Sequence, residues 1–409
     1  MKLMVYSHDA FGLGNIRRIM AICQYLLKAF PEISILVVSG SPALHRLRLP
    51  VGLDYIKLPC LSRDEGGTVA AKYLQTEVAA TVRLRSQLIL VAAANFQPDL
   101  LLVDKKPTGL KGELQPTLRY LKQRQTRSVL LLRDILDAPA ATIQNWQANN
   151  YYSLAECWYD QVWVVGSRHI FDTCDAYQFP TALARKVRFC GYIQRQLGAL
   201  SSQQVRQQLR VAPSEKLVLV TPGGGEDGYR LIQTYLDGLA QLQTVDFKSL
   251  VILGPEMPTA AREHLQAARL ALPHPVAQVQ LIDFSDSLTS YLAAADVVVS
   301  MAGYNTVNEI LALRKRSVVV PRIQPVQEQL IRAQRWSQLG LLKAIHPDQL
   351  TPASLMAALQ HELNHPEPLS PLIDLNALPR IAHYLSRLLQ IEAPALDFLS
   401  QPSRQKCHA

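Results

Sequence analysis

The sequence predicts an α/β protein of two doubly wound, parallel-sheet domains in tandem. Three observations lead there. Short apolar runs, such as 100–103 and 296–300, alternate with segments of helical period, as strands covered by helices on both faces do. Several runs end in a polar residue, Asp104 or Ser300, at the carboxyl end where a turn to the next helix must begin. The pattern starts afresh at Lys216, after a stretch with no strand signal, and 409 residues suffice for two separate cores.

In the first half, residues 2–7 read as a strand, followed by Gly12 and Gly14. Ile16, Ile19, Met20, Cys23, Leu26 and Leu27 then recur at helical spacing. Residues 33–38 and 54–58 read as strands, 69–94 as one long helix, and 100–103 as a strand closed by Asp104. A helix over 112–124 and strands at 128–132, 161–165 and 187–190 complete this half. The predicted divisions are an N-terminal domain over 1–195, a linker over 196–213, a second domain over 214–370, and a segment over 371–409.

The second half opens with a strand over 216–221, the loop Pro222-Gly-Gly-Gly225 and a helix over 229–242. Strands follow at 249–253, 279–282, 296–300 and 317–320, with helices over 287–293, 304–311 and 328–339. Thr351 is placed to cap a helix over 352–361 that starts at Pro352. The prolines at 366, 368 and 371 predict extended chain, 379–389 a last helix, and the residues from Leu399 a loose tail.

Composition narrows the function. Hydrophobic residues are 48% and charged residues 18%, so the chain is globular. The first residues lack the basic start, long apolar stretch and cleavage site of a signal peptide, and no window has the apolar length of a membrane helix. Six scattered cysteines without a CxxC pair read as reduced thiols, which with these absences predicts a cytoplasmic protein. The formal charge of +9 suits an anionic substrate or lipid surface. The basic residues are dispersed, without interleaved aromatics or a zinc pattern, which argues against nucleic acid.

Four places could carry chemistry. The first loop sets His8, Asp9 and Asn15 at the mouth of the first sheet. It lacks the third glycine of a dinucleotide fingerprint and has Arg17 and Arg18 instead. Arginines in a first helical turn face an anion or pair with an acid such as Asp9. Asp104 ends a buried strand; it either caps its turn or orients His8 as a base, and Arg133 and Asp134 end the next strand. The triple glycine at 223–225 is either a tight turn or a loop lying against a diphosphate, and Glu226 and Asp227 after it do not suit phosphate unless turned away. It has no Lys-Ser or Lys-Thr pair and is no ATPase loop. In the segment 295–310, a buried strand turns at Gly303 into a helix bearing Asn305, Thr306 and Glu309. Glu309 stands three residues past Thr306, which is also capping-box spacing. Gln324, Gln327, Glu328 and Gln329 open the next helix beside the same mouth and suit sugar hydroxyls.

These pieces resemble the two-domain inverting glycosyltransferases of the GT-B fold, in which two Rossmann-like domains face across a cleft. They are most similar to the branch with the peptidoglycan GlcNAc transferase and its bacterial relatives. The resemblance rests on Gly12-Leu-Gly-Asn15, Gly223-Gly-Gly225, Phe284-Ser-Asp-Ser-Leu288, Ala302-Gly-Tyr-Asn-Thr306 with Glu309, and Pro321 through Gln329. It runs from residue 1 to about residue 390. It implies that Glu309 accepts from the donor ribose, that Gly303, Asn305, Thr306, Gly224 and Gly225 lie against the diphosphate, and that Phe284 and Ser285 flank the base. It also implies that Glu328 and Gln329 contact the donor sugar, that the segment after Ser370 packs back on the first domain, and that no metal or other cofactor is needed. Relatives carry a histidine where this chain has Asn15, and an asparagine is no general base.

The expected function is transfer of a sugar, with inversion, from a nucleotide-diphosphate sugar, by resemblance a UDP-sugar, to a small-molecule or lipid-linked acceptor. His8 and Asp104 are the catalytic candidates, and Gly12, Gly14, Asn15 and Arg17 form the acceptor-side or phosphate loop. The alternatives are a nucleotide-sugar epimerase or hydrolase of the same fold and a catalytically inactive nucleotide-sugar binder. Peripheral contact with the inner face of a membrane would use a basic patch of Arg17, Arg18, Lys72, Arg83, Arg85, Lys105 and Lys106.

Overall fold

The computed structural model describes residues 1–8, 14–42, 49–63, 69–195, 198–273, 278–365 and 373–393. The chain divides into two compact units: Met1–Ile193 with Asp374–Ala409, and Gln194–Ile373.

The first unit is built on a seven-stranded parallel sheet of β1 (Lys2–Ser7), β2 (Ser34–Ser39), β3 (Leu53–Lys57), β6 (Leu100–Asp104), β7 (Arg127–Arg133), β8 (Gln161–Val165) and β9 (Val187–Phe189). Its order is β3-β2-β1-β6-β7-β8-β9, so the winding reverses between β1 and β6, where Tyr6 lies opposite Val103. A crevice opens at such a reversal, outside the carboxyl ends of the strands. Leu3, Met4, Val5 and Tyr6 and the run from Leu100 to Val103 are all buried, which explains their unbroken apolar character. Helix Gly14–Ala29 buries Ile16, Ile19, Met20, Cys23 and Leu26 against the sheet.

Two stretches depart from the expected elements. Residues 69–94 are not one helix. Strand β5 (Val69–Ala71) pairs antiparallel with β4 (Leu61–Arg63), and the helix starts only at Val78. A pairing partner outside the local window decided between strand and helix there. The helix expected over 112–124 is broken because Gly112 sits at φ +82; a 3-10 turn, Leu110–Gly112, precedes helix Gln115–Gln123.

A buried ionic knot lies beneath the mouth of this sheet. The Arg85 guanidinium donates to both oxygens of Glu113, each at 2.6 Å, and to the Pro59 carbonyl at 2.6 Å. Tyr6 Oη donates to Glu113 Oε1 at 2.6 Å and accepts from the Leu110 amide at 3.1 Å. Both members of the pair are buried, so each charge depends on the other.

Helix Ala377–Leu389 belongs to this unit and packs against helix Gly14–Ala29. The Tyr192 amide donates to the Asp374 carbonyl, Ile193 bridges to Asn376, and Arg380 donates to the Cys190 carbonyl.

The second unit holds a six-stranded parallel sheet of β10 (Lys216–Thr221), β11 (Phe247–Ile252), β12 (Val279–Ile282), β13 (Val297–Ser300), β14 (Arg316–Val319) and β15 (Lys343–Ala344). The order β12-β11-β10-β13-β14-β15 again reverses once, between β10 and β13, where Thr221 lies opposite Ser300. The stretch 196–213, expected as a linker, is in its described part a component of this unit. Helix Ser202–Gln208 carries a capping box of Ser201 and Gln204, and Val205, Leu209 and Val211 join a core with Leu217, Leu219 and Leu292. Three apolar residues diluted among glutamines hid that stripe.

Candidate functional site

In the first unit, His8 directly follows β1 and is buried, and Asp104 ends β6 next to it in the sheet order. The two therefore flank the reversal point. Asn15, in the first turn of helix Gly14–Ala29, donates through Nδ2 to the His8 carbonyl at 2.6 Å, and its Oδ1 accepts from Arg18 at 3.3 Å. Asn15 thus fastens the backbone of His8. Arg18 donates to Asp104 Oδ1 at 2.6 Å, with both side chains buried. Asp9, the acid expected beside these arginines, lies outside the described residues, and one expectation is corrected: Asp104 does not orient His8, since its Oδ2 and His8 Nδ1 are both buried without a hydrogen-bond partner. A guanidinium within reach outcompetes an imidazole for a buried carboxylate. Gly14 opens the helix and Arg17 is half-buried; Gly12 and Asp9 lie outside the described residues.

Burial drives His8 well below the usual histidine range, and the charges of Lys105, Lys106, Arg85 and Arg133 push in the same direction. The ring is therefore neutral near pH 7, the form from which a general base must start. Lys105 sits at φ +73, a left-handed conformation that L-residues rarely adopt. Asp134 is spent on structure: Tyr192 Oη donates to its Oδ2 at 2.6 Å and the Ile135 amide to its Oδ1 at 2.8 Å. The basic patch also needs correction. Arg18 and Arg85 are buried in ion pairs and offer no charge to a surface.

In the second unit, the carboxyl ends of β10, β12, β13 and β14 present the remaining candidates along one edge. Helix Tyr304–Ala312 begins at Gly303, with no side-chain cap bond and no acid in its first turn. A Cβ built on Gly303 would meet nothing within 4 Å. Its first amides form the positive end of a helix dipole, which attracts an anion. The glycine loop after β10 stands beside it: a Cβ on Gly223 would lie 3.6 Å from Thr306 Oγ1. Gly225, at φ +99, has a packing reason of its own, since a Cβ there would come within 2.5 Å of the Leu253 carbonyl. Gly224 accepts through its carbonyl from the Glu256 amide at 2.8 Å. Asp227 turns to Arg322, 3.1 Å away.

Glu309 is buried inside the helix and pairs with Arg195 at 2.5 Å. With Gly303 as the N-cap, Glu309 is not the capping partner of Thr306. Asn305 shares the first turn with Thr306. Phe284, 41% exposed, and Ser285 follow β12, and the Ser285 hydroxyl accepts from the Ser287 amide at 3.0 Å. Glu328 and Gln329 are buried at the start of helix Glu328–Gln338, and Gln329 Oε1 accepts from the Arg322 amide at 3.0 Å. The candidates therefore fall into two groups: His8, Gly14, Asn15, Arg17 and Asp104 in the first unit, and the donor set in the second.

Sequence reasoning missed two arginines. Arg195 reaches Glu309 across 114 residues of chain, and Arg332 reaches the Ala302 carbonyl across 30. No local motif signals either.

Residues 217–381 match the Glycosyltransferase family 28 C-terminal domain. The chain is 28% identical over 192 residues to the UDP-N-acetylglucosamine--N-acetylmuramyl-(pentapeptide) pyrophosphoryl-undecaprenol N-acetylglucosamine transferase of Haemophilus influenzae, covering 46% of this chain and 51% of that one. The chain spans about half the length of the curated relatives it matches. Among solved structures, MurG of Acinetobacter baumannii aligns with a TM-score of 0.58 at 14% identity, over 95% of this chain and 98% of that one. The UDP-GlcNAc 2-epimerase of Methanocaldococcus jannaschii aligns at 0.60 and 10% identity, over 95% of this chain and 100% of that one. At such identities the likeness is one of fold. The chain has the GT-B fold and resembles the branch that contains the peptidoglycan GlcNAc transferase.

Proposed function

We propose that this protein is a glycosyltransferase that moves a sugar, with inversion, from a nucleoside-diphosphate sugar to an acceptor hydroxyl. The observation that carries the reading is the uncapped start of helix Tyr304–Ala312, set at the reversal point of its sheet beside a triple-glycine loop. In this reading the acceptor oxygen attacks the anomeric carbon, the bond to the diphosphate breaks, and His8 takes the hydroxyl proton. The developing charge on the leaving diphosphate rests on helix and loop amides, and no metal or other cofactor is invoked. Glu309 receives the ribose, Phe284 and Ser285 the base, and Glu328 and Gln329 the sugar. The H. influenzae relative names a UDP-sugar donor, which favours uridine here. Lys105, Lys106 and Arg133 press on His8 and favour an acceptor that carries negative charge, lipid-linked or a small molecule.

Calorimetric titration with nucleoside diphosphates and their sugars tests the reading; a chain that binds none of them is not such an enzyme. Within that titration, Glu309→Ala is expected to weaken UDP about tenfold to a hundredfold, since a hydrogen bond to a buried charge contributes about 1.5–3 kcal/mol. The melting temperature should fall only modestly, because the Arg195 partner left behind is 32% exposed and can be hydrated, and the helix keeps Gly303 as its cap. Unchanged affinity with lowered melting would remove Glu309 from the donor site. Incubation of donor without acceptor, followed by product analysis, separates transfer from epimerisation or hydrolysis. Full donor affinity without turnover over a broad acceptor set would mark an inactive binder.

We also place the protein in the cytoplasm, in peripheral contact with the inner face of a membrane. No described helix is long and apolar enough to cross one. On helix Val78–Phe96, Leu84, Leu88 and Val91 share one exposed face, and Tyr73 and Leu74 stand exposed just before it. Lys72 and Arg83 flank this stripe in sequence and can add about 1 kcal/mol each near anionic lipid. Flotation with anionic vesicles should carry the protein, and Leu88→Asp should abolish it. Failure of the unmodified chain to float rules out this contact.

A further inference from the structure

Arg332, on helix Glu328–Gln338, is among the most completely buried side chains of the protein, at 1% exposure. A guanidinium there keeps its charge and needs partners. Its three contacts fall on three pieces of the donor site. Nη1 donates to the Ala302 carbonyl at 2.9 Å, Nη2 lies 3.5 Å from Glu328 Oε2, and the guanidinium carbon stands 5.4 Å from the centre of the Tyr304 ring. One side chain thus joins the turn before helix Tyr304–Ala312, the first residue of that helix, and the acid that opens the next helix.

Two physical consequences follow. In a planar trans peptide the C=O and N–H point in opposite directions. Holding the Ala302 carbonyl toward Arg332 therefore turns the Gly303 N–H away from it, and this N–H belongs to the N-cap of an uncapped helix. Glu328 is a buried carboxylate on the same edge as that helix start, where it would repel a diphosphate. Arg332 is a cation beside it that offsets this charge.

We propose that Arg332 is a positioning residue of the donor site, orienting the 302–303 peptide toward a diphosphate and cancelling the charge of Glu328. This rests on the nucleotide-binding reading above. It predicts a defect specific to the phosphates and not to the nucleoside.

The test is calorimetric titration of the full chain with UDP and, separately, with uridine. Arg332→Gln should weaken UDP at least about tenfold, the scale of one hydrogen bond to a charged group, and change uridine affinity less than about twofold. Arg332→Gln with Glu328→Gln should recover part of the loss, since the carboxylate that would repel the diphosphate is removed as well. Arg332→Lys keeps the charge but not the planar fork and should fall between Arg332→Gln and the unmodified chain. If Arg332→Gln does not fold, Arg332→Lys carries the test, and UDP affinity equal to that of the unmodified chain would overturn the proposal. Equal losses for UDP and uridine, or none for either, would also overturn it. An unmodified chain that binds neither ligand defeats the underlying functional reading and this inference with it, an outcome distinct from unmodified binding with indifferent variants.

Discussion

Turnover of His8→Ala should fall by about 10²- to 10⁴-fold, the usual contribution of a positioned general base, with UDP affinity unchanged. The base must be neutral to act, and burial followed by the charges of Lys105, Lys106, Arg85 and Arg133 keeps His8 so. The acid limb of the turnover profile should therefore lie well below the ordinary histidine value of about 6.5. The same shift bears on stability. Below about pH 6.5 the unfolded chain takes up a proton on His8 that the folded chain refuses. The contribution of His8 to stability is then fully present above that value and is lost as pH falls toward its folded value. Full turnover in His8→Ala would move the base elsewhere. Asp104 would be the next residue to test, although one of its oxygens already accepts from Arg18.

The largest loss of stability is expected from Glu113→Ala. Removal of the carboxylate strands the buried Arg85 charge and takes from Tyr6 its hydrogen-bond acceptor. Breaking one side of a buried pair costs about 3–5 kcal/mol. In a unit of this size each kcal/mol moves the midpoint by roughly 2–4 °C, so melting should drop by roughly 6–20 °C. Arg85→Met with Glu113→Leu, which removes both charges, should recover much of that loss. A midpoint within 2 °C of the unmodified chain for Glu113→Ala, on the order of a single weak contact, would mean that water reaches the pair. Donor affinity should survive wherever the chain still folds, since the knot belongs to the first unit.

What could be read from sequence was what depends on near neighbours. The run 100–103 is apolar on both faces because β6 lies inside the sheet, so the polar residue that ends it, Asp104, stood out as a mouth residue. Ser300, Gly303 and the helix after them were legible for the same reason. Illegible was whatever a distant partner decides. Asp104 turned to Arg18, 86 residues away, and not to His8. Glu309 found Arg195, and Val69 found β4, so that spacing suggested a cap in one case and a helix in the other where tertiary contact made something else. The capping box at Ser201 and Gln204 was a local signal, and reading it would have recovered helix Ser202–Gln208 from the supposed linker.

The return of the chain to its first unit sets an order of manufacture. The ribosome delivers the seven strands of the first sheet before any of the second unit exists. Helix Ala377–Leu389, which covers helix Gly14–Ala29 and whose Arg380 and Tyr384 donate to the Cys190 and Phe189 carbonyls, emerges only after the whole of Gln194–Ile373. During synthesis the first sheet must wait with that flank bare, while the second unit closes on residues that are contiguous in sequence. The domain made first is thus finished last, and a nascent chain halted before Ala377 would leave its apolar flank open to chaperones and proteases.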